Sequence, residues 1–142
     1  MARTRPTVWP MLAMALLISA LTCLPVSRAL AQDPRVLSLV EMALADCVGQ
    51  ALAIERALQE GPAATDGEAA QEAAARADAL LQLAVTRYVG VGRIEAFRRR
   101  AARALEGTYL RMTTAMGVSG DPGGVISRTG QRFDAECGAY LD

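Results

Sequence analysis

Histidine and lysine are both absent from this 142-residue sequence, and all 15 of its basic residues are arginine. Imidazole is a common general base near neutral pH and a frequent ligand of zinc and of haem iron. Its absence excludes histidine-based catalytic triads, histidine-ligated haem and the usual zinc sites. We therefore expect no cofactor and no metal site, and in particular neither haem nor zinc.

Aromatic residues are scarce, at 4% of the chain, although apolar residues together make up 52%. Much of the apolar content is alanine, which permits close helix packing but buries little area per residue. Sustained alternation of apolar and polar residues, the pattern of a strand, is missing except for a few residues around Val125 and Ile126. The sequence predicts an all-α domain with a thin core, for which stabilisation beyond hydrophobic burial is useful.

Net charge is also lacking, because 15 acidic residues balance the 15 arginines. A balanced chain creates no strong field toward a polyanion, so we expect no nucleic-acid partner. The apolar content, together with charged residues at 21%, is typical of a globular protein rather than a disordered one.

The first 31 residues have the pattern of a cleaved signal peptide. Arg3 and Arg5 precede an apolar run over residues 11–21, and Ala29-Leu30-Ala31 has the small-x-small pattern of a cleavage site. The run is shorter than the about 20 residues that a membrane span needs. We expect cleavage after Ala31, which leaves a domain over residues 32–142 in the periplasm or outside the cell. The alternative is an uncleaved N-terminus that anchors the protein in the inner membrane.

Cleavage would remove Cys23 and leave Cys47 and Cys137 as the only cysteines. An even number of cysteines in an oxidising compartment predicts a disulfide. Closing so long a loop contributes about 4 kcal/mol when the entropy of the unfolded chain is considered. The alternative is a pair of free redox thiols, but such pairs usually have C-x-x-C spacing. Asp46 and Glu136 are neighbours that would raise the pKa of free thiols, so we predict a structural disulfide.

Apolar residues recurring at three, four and seven positions predict a small bundle of three long helices and a shorter C-terminal helix. The predicted helices cover residues 34–60, 68–88, 93–116 and 127–141, with a loop at 118–124. Asp33 and Pro34 are predicted to begin the first helix. This helix is apolar around much of its circumference, with Val36 and Val40 in its buried face, so we expect it to be central. The disulfide would join it to the fourth helix.

A cluster of arginines on the third helix is the most distinctive polar feature, and we interpret it as a docking patch for an anionic partner. Its members are Arg93, Arg99, Arg100, Arg103 and Arg111. A phospholipid surface, an acidic protein or a cell-wall polymer would suit such a patch. The alternative is a solvated helix face that pairs with Glu95 and Glu106, as charge runs on helices usually do.

The spacing of residues indicates no catalytic constellation, so the sequence favours a non-enzymatic protein over an enzyme. We expect a secreted or periplasmic protein of the bacterial envelope that acts as a binding or accessory module for an envelope protein or an anionic surface. The alternative is a small-ligand carrier, or an enzyme, with its site in an inter-helix cavity beside the alanine-rich half of the second helix. An apolar cavity of several hundred Å³ with converging polar groups would favour that alternative.

Overall fold

A computed structural model describes residues 36–61 and 67–142, all of which belong to one compact unit, Pro34–Asp142. Its elements are α1 (Leu39–Glu60), α2 (Gly67–Leu83), α3 (Ile94–Ser119) and α4 (Pro122–Cys137). A π-helical turn, Ala84–Tyr88, extends α2, and 3-10 turns at Val91–Arg93 and Gly138–Tyr140 precede α3 and follow α4. Over these ranges the fold is entirely helical, which confirms a bundle of three long helices and a shorter fourth one. The predicted signal peptide lies outside the described residues.

A capping box begins α1. The N–H of Glu41 donates to the Ser38 hydroxyl at 3.2 Å, and the N–H of Ser38 donates to the Glu41 carboxylate at 2.6 Å. These two bonds satisfy backbone donors that the first helical turn otherwise leaves without partners. The prediction that α1 begins at Pro34 is wrong, because residues 36–38 are not helical. The Ser-x-x-Glu pattern is the stronger start signal in this segment.

The first helix is central, as predicted, because α1 contacts each of the other three helices. Its buried apolar residues are Leu44, Ala45, Cys47, Val48, Ala51, Ala53, Ile54 and Ala57. Neighbours on several sides explain why small residues are so frequent in α1. Val36 and Val40 are 65% and 39% exposed, so their assignment to the buried face is wrong. They lie before and within the first turn of α1.

Three ion pairs show that α1 and α3 run in the same direction. They are Glu41–Arg93, Asp46–Arg100 and Arg56–Glu106, and residue numbers rise together along both helices. The two backbones approach each other closely at Gly49. A Cβ atom there would clash with the Ala101 carbonyl oxygen and lie 2.6 Å from the Ala104 Cβ. The parallel pair therefore requires a residue without a side chain at this crossing.

The connection between α3 and α4 is shorter than predicted. Gly120 adopts the left-handed conformation, with φ of 65°, and ends α3. Asp121 then caps α4 by accepting a backbone N–H from its first turn at 2.9 Å, and Pro122 is the first helical residue. The loop predicted at 118–124 is therefore wrong, since its Gly, Asp and Pro are cap residues of two consecutive helices. For the same reason the fourth helix begins earlier than residue 127.

A disulfide joins Cys47, in the middle of α1, to Cys137, at the end of α4. Cys47 is 4% exposed and Cys137 is fully buried, so the bond lies within the core. This confirms the predicted pairing. Apart from Cys137, the buried residues of α4 are only Val125 and Phe133. A helix with so few buried side chains depends strongly on a covalent attachment.

We expect the double substitution Cys47→Ala/Cys137→Ala to lower the free energy of unfolding by about 4 kcal/mol, because the unfolded chain regains its conformational entropy. Urea denaturation followed by circular dichroism measures the loss. Treatment with dithiothreitol should destabilise the wild type and leave the double variant unchanged. A double variant as stable as the oxidised wild type would contradict a stabilising role.

Substitution of Gly49 by alanine should destabilise the protein by about 2 kcal/mol, because the added methyl group forces α1 and α3 apart. Gly117, in α3, provides the matched control, since a Cβ atom there would have no neighbour within 4 Å. Gly117→Ala should be neutral or stabilise by up to about 1 kcal/mol through its higher helix propensity. Thermal unfolding midpoints distinguish the two, and equal effects would argue against a close approach at Gly49.

Candidate functional site

The structure distributes the five arginines of the predicted patch over three locations. Arg93 and Arg100 bind carboxylates of α1, Arg99 and Arg103 lie on the outer face of α3, and Arg111 lines a cleft beside α4. A single continuous patch of all five is therefore not formed. Each location has its own chemistry.

Arg93 binds the one buried carboxylate among the described residues, that of Glu41. The Arg93 Nε donates to Glu41 Oε1 at 2.7 Å, while the Ser38 N–H donates to Oε2. Burial acts to raise the pKa of Glu41, but the hydrogen bonds from Ser38 and Arg93 outweigh it and hold that pKa below its ordinary value. The ionised carboxylate therefore links the start of α1 to the start of α3.

Arg100 forms a two-pronged pair with Asp46. Its Nε and Nη2 donate to the two carboxylate oxygens at 2.8 and 2.6 Å, and Nε also lies 3.2 Å from the Met42 carbonyl oxygen. The hydrogen bond with Asp46 raises the pKa of Arg100 above its ordinary value. Fork-shaped pairs of this kind are strong and directional. Arg100 thus fastens α3 to α1.

The outer face of α3 keeps Arg99 and Arg103, together with Arg98. Arg99 pairs with Glu95 at 3.4 Å, and both side chains are more than half exposed. Within the described part of the chain, Arg98 and Arg103 have no hydrogen bond or ion pair. Exposed pairs of this kind contribute about 0.5 kcal/mol or less. This face has the character of a solvated surface with surplus positive charge.

A concave basic site lies where α1, α3 and α4 meet. It is an open cleft of about 300 Å³, which we call the arginine cleft because Arg111, Arg128 and Arg132 line it. Its other lining residues are Gln50, Thr108, Met112, Ala115, Val125 and Thr129. Arg128 and Arg132 lie one turn apart on α4, and α3 places Arg111 on the same cleft. Three positive side chains from two helices therefore share one concavity.

Two of the three guanidinium groups in the cleft already have partners. Arg111 donates from Nη2 to the Thr108 hydroxyl at 2.9 Å, and Arg132 donates from Nε to Glu136 at 2.7 Å. Arg128 has no hydrogen bond or ion pair within the described residues. Arg128 therefore keeps all of its donors, and Arg111 keeps its charge uncompensated by any bonded carboxylate.

Glu136 lies beside the cleft and binds two of its lining residues. Its Oε1 accepts from Arg132, and its Oε2 accepts from the Gln50 amide at 3.2 Å. The hydrogen bond from Arg132 lowers the pKa of Glu136 most, the bond from Gln50 adds to this, and burial opposes both. The charges of Arg132 and Arg111 lower the pKa further. The Asp121 carboxylate lies near Arg128 but forms no ion pair with it. Two carboxylates beside three arginines leave the cleft with surplus positive charge.

Anion recognition is the chemistry that this arrangement supports. Guanidinium groups present rigid, forked donors that match the oxygens of phosphate and carboxylate groups. Of the residues singled out in the sequence, only Arg111 belongs to the cleft. Arg128 and Arg132 were missed, although their spacing of four residues places them on one helical face. Only the packing of α4 against α3 brings them to Arg111.

A second concavity, the apolar groove, lies between α1, α2 and α4 and has a volume of about 190 Å³. Its apolar lining includes Ile54, Leu58, Ala73, Ile126 and Phe133. A concavity is therefore present beside the alanine-rich half of α2, the location expected from the sequence. The volume is smaller than the several hundred Å³ of a typical ligand-carrying cavity.

Two further findings concern the described ranges, residues 36–61 and 67–142. No helix in them is both long and apolar enough to cross a membrane. No three or more of their cysteine, aspartate and glutamate side chains are grouped so that they could hold a metal ion.

Substitution of Glu41 by glutamine should lower the free energy of unfolding by about 2 kcal/mol at neutral pH, because Arg93 loses its buried partner. The lowered pKa of Glu41 in the folded protein means that its stabilisation is complete above the unfolded-state pKa. That stabilisation disappears as the pH falls through the folded-state pKa. The difference between wild type and variant should therefore narrow between about pH 6 and about pH 3.

Urea denaturation across this pH range measures that difference. Glu95→Gln, which breaks an exposed pair of α3, is the control and should change stability by no more than about 0.5 kcal/mol. A Glu41→Gln effect that stays constant with pH would show that the carboxylate charge does not stabilise the fold.

Comparison with known proteins yields no match to any family model, any curated protein or any solved structure. The function of this chain is therefore inferred from the geometry of its own residues.

Proposed function

We propose that the protein is an exported, non-enzymatic binding module of the bacterial envelope that holds an anionic group of its partner in the arginine cleft. The signal-peptide pattern of residues 1–31 supports export. The disulfide agrees with this, because such bonds persist mainly in oxidising compartments.

The convergence of Arg111, Arg128 and Arg132 in one cleft is the observation that carries the proposal. Like charges that share one cleft repel each other, and of the three only Arg132 forms an ion pair, with Glu136. A bound anion would relieve that repulsion and gain several charge-assisted hydrogen bonds at once. The outer face of α3 also carries arginines, but Arg98, Arg99 and Arg103 line neither the arginine cleft nor the apolar groove.

The frame around the cleft supports recognition by a preformed site. Arg111 is oriented by Thr108, a residue only 4% exposed, and Arg132 is oriented by Glu136. The helices that carry these side chains are joined to α1 by the disulfide and by the ion pairs of Arg93 and Arg100. Side chains held in this way lose little freedom when a partner binds.

A small-ligand carrier is the second candidate, and the apolar groove is the observation that favours it. Its volume of about 190 Å³ would accept a compact apolar group. An apolar cavity of about 150 Å³ in another protein binds benzene. The groove would then hold a small apolar molecule or a single apolar side chain of a partner.

Retention on a heparin column tests the binding module. The mature protein should be retained at low ionic strength, and the triple variant Arg111→Gln/Arg128→Gln/Arg132→Gln should elute at clearly lower salt because it loses its anion contacts. The matched control is Arg98→Gln/Arg99→Gln/Arg103→Gln, which removes the same charge from the outer face of α3. This control should elute close to the wild type.

Unchanged thermal midpoints establish that both triple variants are folded. Failure of the wild type to bind heparin would contradict the proposal. Equal losses in the two triple variants would also contradict it, since retention would then depend on net charge. A larger loss in the control would assign binding to the outer face of α3.

A further inference from the structure

Glu136 lies beside the arginine cleft and binds two of the residues that line it. Its carboxylate accepts a hydrogen bond from Arg132 of α4 and another from Gln50 of α1, and both donors line the arginine cleft. The neighbouring Cys137 is tied to α1 by the disulfide, which keeps the backbone of Glu136 in place. The Glu136 carboxylate is thus held at the edge of the cleft, where it binds one of the three arginines.

We propose that the arginine cleft binds a phosphate-bearing ligand, and that Glu136 is the residue that discriminates against single carboxylates. This inference rests on the proposed function, because it names the anion that the cleft takes. A carboxylate bound at Arg111 and Arg128 brings only one charge and two acceptor oxygens. To engage Arg132 as well, it would have to displace Glu136, which carries the same chemical group. Since Glu136 is tethered, it competes at a high effective concentration, and the exchange yields no net gain.

A phosphate monoester differs from a carboxylate in both charge and number of oxygens. It carries about −1.5 to −2 charges at neutral pH and three acceptor oxygens. Arg128 has no partner within the described residues, and Arg111 is bonded only to a neutral hydroxyl. A phosphate group can therefore bind these two guanidiniums while Glu136 stays on Arg132. The phosphate group need not displace the Glu136 carboxylate.

The remaining lining of the cleft indicates that the phosphate is attached to an organic group. Met112, Ala115 and Val125 contribute apolar surface to the same concavity. A volume of about 300 Å³ exceeds what a phosphate group alone requires. A phosphate monoester with a short carbon chain fits this combination, and it can come from a free metabolite or from a lipid headgroup.

Isothermal titration calorimetry with propyl phosphate and butanoate tests the inference, because the two probes share an apolar tail and differ in the anionic group. The wild type should bind propyl phosphate at least about tenfold more tightly than butanoate. Glu136→Gln should strengthen butanoate binding by about tenfold and reduce the preference for phosphate. Arg128→Gln should weaken propyl phosphate binding by about tenfold.

The ratio of the two affinities distinguishes a role of Glu136 in selectivity from a merely structural role. General loosening of the fold would not favour one anion over the other. Equal binding of both probes by the wild type, or an unchanged preference in Glu136→Gln, would overturn the role of Glu136 while leaving anion binding intact. Absence of binding to wild type and Glu136→Gln alike would overturn the phosphate inference. If, in addition, the two triple variants eluted from heparin at the same salt concentration, the proposed function would also be overturned.

Vesicle sedimentation distinguishes the two sources of phosphate. Co-sedimentation with vesicles of phosphatidic acid in phosphatidylcholine, suppressed by free propyl phosphate, would support a lipid headgroup as the ligand. Propyl phosphate binding without co-sedimentation would support a free phosphate ester. Vesicles of phosphatidylcholine alone control for nonspecific adsorption.

Discussion

The covalent bond between Cys47 and Cys137 is the constraint on which the arginine cleft and the apolar groove depend. Both the arginine cleft and the apolar groove are lined by α4, and α4 buries few side chains of its own. Three glycines, at positions 123, 124 and 130, further lower its helix propensity. Attachment of its C-terminal end to the central helix compensates for this weakness. The disulfide is therefore a precondition of the proposed binding site as well as of stability.

Arginine has two distinct roles in this fold, and the position of acidic residues on α1 separates them. Arg93 and Arg100 face carboxylates on the parallel helix α1 and are used to join the two helices. Arg111 lies on the same face of α3, but α1 offers Gln50, not an acid, at the cleft that Arg111 lines. Because α1 presents an amide and not a carboxylate at this position, it does not neutralise the positive charge of Arg111. Arg128 and Arg132 of α4 add to it.

Much of the fold could be predicted from local patterns because those patterns have local causes. Helical periodicity located all four helices, and the even cysteine count expected after removal of a signal peptide predicted the disulfide. The predicted helix boundaries were less accurate where a residue type is common both in loops and in helix caps. Gly120 and Pro122 were read as loop residues, yet they act as a helix end and a helix start. A single sequence does not separate these uses, because the directions of α3 and α4 decide between them.

The sequence by itself determined an all-α domain, a buried cysteine on each of two helices and a basic face on the third helix. These features follow from periodicity and residue chemistry within one element. Which arginines pair with carboxylates, and which line one cleft together, depends on how the helices pack. Arg111 and Arg128, for example, belong to different helices. Their proximity depends on the parallel packing of α1 with α3 at Gly49 and on the attachment of α4 to α1. Such contacts between distant segments have no signature in local spacing.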